Sequence, residues 1–266
     1  MSTAITALSL ILIGFGMLYP IFFIISARFI PNNKSTQRFL QLNYIIHLIA
    51  GGISVALFWI FSINYSLQLS GLVYLAAIVV VVFYYWSSQI PKWNLFGASI
   101  IFGFILFVRA IREIVQLTPL WPGVLMGAIS TGILAITIFL CVLTARNRNI
   151  NNIRLAIVPT LLNGLIILLG VRLVWDMIVL FSVKIGDQNG IMMNVFQFFI
   201  KSEIIYFLST VICGLIVPLI ILFIWMKLRK KLKNKTILIL SSVLVTVVLL
   251  GEMLYKYFML QYGIVL

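Results

Sequence analysis

Apolar residues gather in eight stretches of this chain, 4–27, 39–63, 69–88, 95–117, 122–145, 155–182, 199–226 and 236–260. An α-helix rises about 1.5 Å per residue, so about 20 residues cross a hydrocarbon layer about 30 Å thick. No water meets a bare N–H or C=O inside that layer, so each segment must close its backbone hydrogen bonds internally. The pattern predicts an all-α integral membrane protein of eight transmembrane helices, a single polytopic domain over residues 1–266. Composition agrees, because only 9% of the residues are charged, where a soluble domain carries about 25%. No basic residue precedes the first stretch, and it exceeds the length of a signal-peptide core, so it reads as a retained span.

The formal charge of +14 invites a nucleic-acid reading, and placement excludes it. Basic residues alternate from one connection to the next. The first connection has Arg28, Lys34 and Arg38, the third Lys92, and the fifth Arg146, Arg148 and Arg154. The seventh has Lys227, Arg229, Lys230, Lys231, Lys233 and Lys235. The second and fourth have none, and Lys184 in the sixth is offset by Asp187. Lys and Arg mark the cytoplasmic side of a membrane protein. Both termini are therefore expected on the outer side of a bacterial or archaeal cytoplasmic membrane. The run at 227–235 (KLRKKLKNK) chiefly sets orientation and also suits anionic lipid headgroups.

Nine charged residues fall within or at the ends of the apolar stretches: Arg109, Arg112, Glu113, Arg172, Asp176, Lys201, Glu203, Glu252 and Lys256. Charge near hydrocarbon is costly and is a functional signal by default. Counting spans puts all nine toward the outer ends of the fourth, sixth, seventh and eighth helices. The bland reading is local snorkelling of paired charges to the interface. Placement of all nine toward one side favours a polar cavity opening to the outer face. Other chemistry is sparse. His47 is the single histidine, Cys141 and Cys213 sit in apolar segments, and no metal-ligand spacing or phosphate-binding motif occurs. No haem or metal is expected in this chain. Gly14, Gly16, Gly51 and Gly52 read as positions of close helix packing.

Two segments carry a resemblance. Val108-Arg109 is followed after a short gap by Pro119-Leu120-Trp121 and a small-residue helix at 123–132 (GVLMGAISTG). The last apolar stretch contains Gly251-Glu252 and, one turn later, Lys256 among Tyr255, Tyr257 and Phe258. Both resemble the membrane anchor subunit of dimethyl-sulfoxide-reductase-type molybdoenzymes, with an arginine where this chain has Lys256. The resemblance implies oxidation of menaquinol near the outer face. It also implies an iron–sulfur electron-transfer subunit and a molybdopterin catalytic subunit as outer partners. The family's histidine and acidic residue around the second and third helices are absent from 58–74 (FWIFSINYSLQLSGLVY). Either the proton-acceptor role has moved to Glu252, Asp176 or Glu113, with Arg109, Arg112, Arg172 and Lys256 binding the quinol, or this chain handles quinol differently. A carboxylate beside the ring serves as a base, and a neighbouring cation tunes it.

Two other readings stand beside this one, a secondary transporter with a charged cavity and a purely structural anchor or assembly subunit. For partner contact the sequence offers Lys201 and Glu203 with Met192, Met193 and Phe196 of the connection 183–198, which also holds Ile191 and Val195. The orientation is testable with reporters. A fluorescent-protein fusion at residue 231 is expected to be active and a phosphatase fusion there inactive, with the reverse at residue 187. The opposite pattern overturns the orientation.

Overall fold

A computed structural model describes residues 3–27, 34–61, 64–87, 91–115, 120–145, 151–186, 192–228 and 234–266. The expected turns at 31–33 and Pro119, the segment 147–150 and most of the basic run, 229–233, lie outside the described residues. So do Arg28, Arg146, Arg148, Asp187 and Ile191. Eight described helices are long and apolar enough to cross a membrane, and the chain is an all-α, multi-pass membrane protein. The helices are α1 (Thr3–Ala27), α2 (Lys34–Phe61), α3 (Tyr65–Tyr85), α4 (Trp93–Ala110), α5 (Leu120–Ala145) and α6 (Asn151–Ser182). After a two-stranded hairpin, β1 (Lys184–Gly186) with β2 (Met192–Asn194), come α7 (Val195–Ser202), α8 (Ile204–Val211), α9 (Val217–Leu228) and α10 (Asn234–Tyr262).

The sequence boundaries shift in informative places. Asn64 caps α3, its side chain accepting from the backbone of Ser66 and Leu67, so that helix starts at Tyr65 rather than 69. An Asn at this position satisfies N–H groups that a helix start leaves bare. The seventh span starts at Ile204, not 199. Residues 195–202 form a separate short helix capped by Asn194, and the chain bends at Glu203 before continuing. The connection 183–198 is thus a hairpin and a capped helix. Two spans contain a π turn, Ile111–Val115 after α4 and Ile212–Ile216 between α8 and α9.

The helices form two rings of four. In the first, α1, α2, α3 and α4 each touch the next, and α4 closes back onto α1. In the second, α5 packs on α6, α6 on α9, α9 on α10, and α10 on α5. Helix α1 joins the rings through α5 and α10. Hydrogen bonds mark both ends of the bundle. One end holds the Asn64–Glu113 bond at 2.5 Å and the Tyr262–Glu203 bond at 2.6 Å, with the Trp175 indole donating to Val265 O at 2.8 Å. This is the C-terminal end. At the opposite, basic end Gln41 donates to Trp86 O at 3.1 Å, and Thr144 lies 2.9 Å from Ser241.

Lipid tails are as apolar as leucine, so membrane helices associate through close packing and polar contacts, often at small residues. A Cβ added to Gly14 would strike Thr131, one on Gly16 would strike the Tyr74 hydroxyl, and one on Gly51 would strike Ile78. Three of the four glycines singled out in the sequence thus mark close approaches, while Gly52 faces open space. The closest approach to another backbone lies elsewhere, where Gly251 of α10 rests on the backbone of Gly214 in the second π turn. Gly251→Ala is expected to cost about 1–3 kcal/mol by overpacking. Gly170→Ala, at an open helical position, is expected to gain about 0.5–1 kcal/mol. Thermal unfolding in detergent reads both, and equal effects would refute this account of the Gly214–Gly251 contact.

Candidate functional site

The second ring has a charged core. Arg172 and Asp176 are one turn apart on α6, and Glu252 and Lys256 one turn apart on α10, so each pair shares a helix face. These two helices oppose each other across the ring without packing backbone to backbone, and long polar side chains span the gap. The Arg172 guanidinium donates through Nη1 to Glu252 Oε1, forming an ion pair. The other carboxylate oxygen of Glu252 accepts from Ser130 of α5 at 2.5 Å, and Ser130 in turn accepts from Lys256 Nζ at 3.1 Å. Tyr255 donates to Asp176 Oδ2 at 2.8 Å, and its ring lies 3.3 Å beneath the Arg172 guanidinium.

All four charged side chains are enclosed by protein, with exposures of 1% for Arg172 and Glu252, 3% for Lys256 and 7% for Asp176. Two formal positive charges face two negative ones. Such a balanced, hydrogen-bonded group is tolerated in a low-dielectric interior, where an isolated charge is not. A desolvated cation over an aromatic face adds about 2 kcal/mol. Three polar atoms of the core have no hydrogen-bond partner among the described residues: Arg172 Nε, Arg172 Nη2 and Asp176 Oδ1. Two donors and one acceptor are thus left for a guest.

Three of the core side chains lie well inside their helices. Arg172 lies ten residues before Ser182, Glu252 ten before Tyr262, and Ser130 ten after Leu120. At the helical rise this is about 15 Å, about half of a hydrocarbon layer. Asp176 and Lys256 are one turn nearer the C-terminal end. Toward that end lies an aromatic layer in which Phe199 sits 4.6 Å from Phe258 and 5.2 Å from Phe207. Trp121 and Trp175 meet edge to face at 5.9 Å beside it. A cavity opening to that face was expected; the charged core is enclosed and covered instead.

The nine charges do not meet in one place. Arg109, Arg112 and Glu113 end the fourth span in the first ring. Arg109 and Arg112 are exposed; Arg109 bonds to Ser70 of α3, and Glu113 bonds to the capping Asn64. Lys201 is exposed, while Glu203 accepts from Tyr262. Of the residues expected at a partner surface, Met192 is 64% exposed. Met193 is buried, and Phe196 packs into the chain's own aromatic layer. These two belong to the interior.

Sequence reasoning missed Ser130, Tyr255 and the Gly214–Gly251 approach beneath them. Ser130 and Tyr255 both lay inside the quoted segments, and the signal for each was a polar atom on an otherwise apolar face. In the first ring His47 is fully buried beside Phe96, and neither ring nitrogen makes a well-formed hydrogen bond. Among the described residues no group of three or more His, Cys, Asp or Glu side chains is gathered as a metal would need.

Removing one member of the ion pair leaves the other charged and unpaired. Glu252→Gln is therefore expected to lose about 3–5 kcal/mol of stability, and Arg172→Met/Glu252→Met to recover most of it. Unfolding in mixed micelles measures both. A double variant as unstable as the sum of the singles would disprove the pairing. Comparison with known protein families, curated proteins and solved structures yields no match to this chain.

Proposed function

We propose that the chain is the membrane anchor subunit of a multi-subunit molybdopterin oxidoreductase and oxidises menaquinol at the charged core of its second ring. The observation that carries this reading is the set of unpartnered atoms, Arg172 Nε, Arg172 Nη2 and Asp176 Oδ1, enclosed at mid-depth. A quinol is a membrane-soluble ring bearing two hydroxyl groups. One hydroxyl can donate to Asp176 Oδ1 while the guanidinium donates to the ring oxygen. Oxidation releases two protons and two electrons. Asp176 takes a proton first, and Glu252, across the same guanidinium, is the next acceptor. The electrons leave to the iron–sulfur subunit, and the reducible cofactors belong to the partners. Arg172 holds the ring oxygen and stabilises negative charge as the proton departs.

The aromatic cover toward the C-terminal end favours a substrate that arrives through the bilayer over one that arrives from water. The resemblance of the two sequence segments supports the choice of quinol. Arg109, Arg112 and Glu113 end the other ring and have no part in this chemistry; their exposed positions suit contact with a partner subunit. A second reading has its own observation. Mid-depth charge beside an interrupted helix, here the π turn at Ile212–Ile216, is also how transporters build coupled sites.

Asp176→Asn, in the assembled complex, is expected to keep the partner subunits bound and to lower quinol-driven electron transfer about 10²–10⁴-fold, the usual worth of a positioned base. Wild-type turnover in that variant would reject the role. Proton-coupled solute uptake by the isolated chain in proteoliposomes would instead select the transporter.

A further inference from the structure

The basic end of the bundle carries features that the charged core does not use. A cavity of about 270 Å³ lies between α1, α5 and α6, lined by Phe22, Ile25, Ile136, Ile157, Leu161 and Gly164. Its walls are almost wholly apolar. A second cavity, of about 280 Å³, lies between α6 and α9 and is lined by Pro159, Leu162, Asn163 and Met226. Between them runs the outward face of α6, where Asn163 is exposed in an apolar span and makes no hydrogen bond to any described residue. A bare amide facing lipid has a strong tendency to find an acceptor.

Charge at this end is one-sided. All five acidic residues of the chain, Glu113, Asp176, Asp187, Glu203 and Glu252, fall in the other half of the spans or in the connection at the opposite end. Lys227 directly follows Met226 of the second cavity and is exposed.

We propose that this end of α6 binds one anionic phospholipid. An acyl chain fills the apolar cavity between α1, α5 and α6. The glycerol-ester oxygens accept from the Asn163 amide, and Lys227, at the end of α9 beside the second cavity, selects a negatively charged headgroup. An apolar cavity alone would take any long chain, an isoprenoid tail included. The unpartnered amide and the acid-free basic rim distinguish a phospholipid. Basic pockets between membrane helices are the usual seat of anionic headgroups.

The test is lipid retention. The full chain is purified from native-like membranes of mixed phosphatidylglycerol and phosphatidylcholine in mild detergent, and bound lipid is identified by mass spectrometry. Wild-type protein is expected to retain phosphatidylglycerol in near-stoichiometric amount. A side chain begun at Gly164 meets nothing nearby, so Gly164→Phe grows into the cavity and is expected to lose the lipid. Lys227→Gln is expected to lose the preference for phosphatidylglycerol over phosphatidylcholine, and Asn163→Leu, which leaves the cavity intact, is expected to retain less of either lipid. It lies on the exposed face and carries the test even if Gly164→Phe fails to fold. Equal retention of both lipids by wild-type protein overturns the proposal. So do retention of a quinone in place of phospholipid, absence of any retained lipid, undiminished retention in Asn163→Leu, and unchanged selectivity in Lys227→Gln.

Discussion

The ion pair between Arg172 and Glu252 is the constraint on which the second ring depends. A guanidinium and a carboxylate at mid-depth have no water to fall back on, so each holds the other in place. The pair also fixes the distance between α6 and α10, which do not pack directly. Ser130 ties α5 to the same carboxylate, and Lys256 reaches back to Ser130, so three helices are locked by one group of polar atoms. The close approach of Gly251 to Gly214 adds the fourth helix of the ring. Electrostatics therefore sets an arrangement that apolar packing alone would leave loose, since lipid competes equally for every leucine.

Much of the fold was legible because a bilayer imposes length and polarity on each segment. The eight spans follow from hydropathy, and the side-by-side placement of Arg172 with Asp176 and of Glu252 with Lys256 follows from helical periodicity. Partnership was not legible. Periodicity gives the direction of a side chain about its own helix, and it is silent about which helix stands opposite. For that reason Arg109 and Glu252 read as members of one site, although they end up in different rings. Ser130 escaped because a serine in a small-residue helix reads as packing.

The two rings share an architecture and differ in chemistry. The core of the first is polar but uncharged: Tyr19 donates to Asn43 at 2.6 Å, and Tyr44, His47 and Tyr74 are buried nearby with polar atoms left unpartnered. The core of the second is ionic. Neutral hydrogen-bonding groups orient and rigidify, whereas ionisable ones exchange protons at modest cost. The division separates a neutral half from an ionic half.

The central position of α1 has a consequence for the order of events during synthesis. Of the described helices this one is made before the others, yet it contacts α10, whose residues follow more than two hundred positions later. At about 5–20 residues per second, that interval lasts on the order of 10–40 s. Throughout it, α1 must sit in lipid with its final neighbours unmade. Its lack of any acidic or basic residue is what lets it wait: the earliest of these eight spans must wait for the latest, and it carries nothing that lipid would refuse.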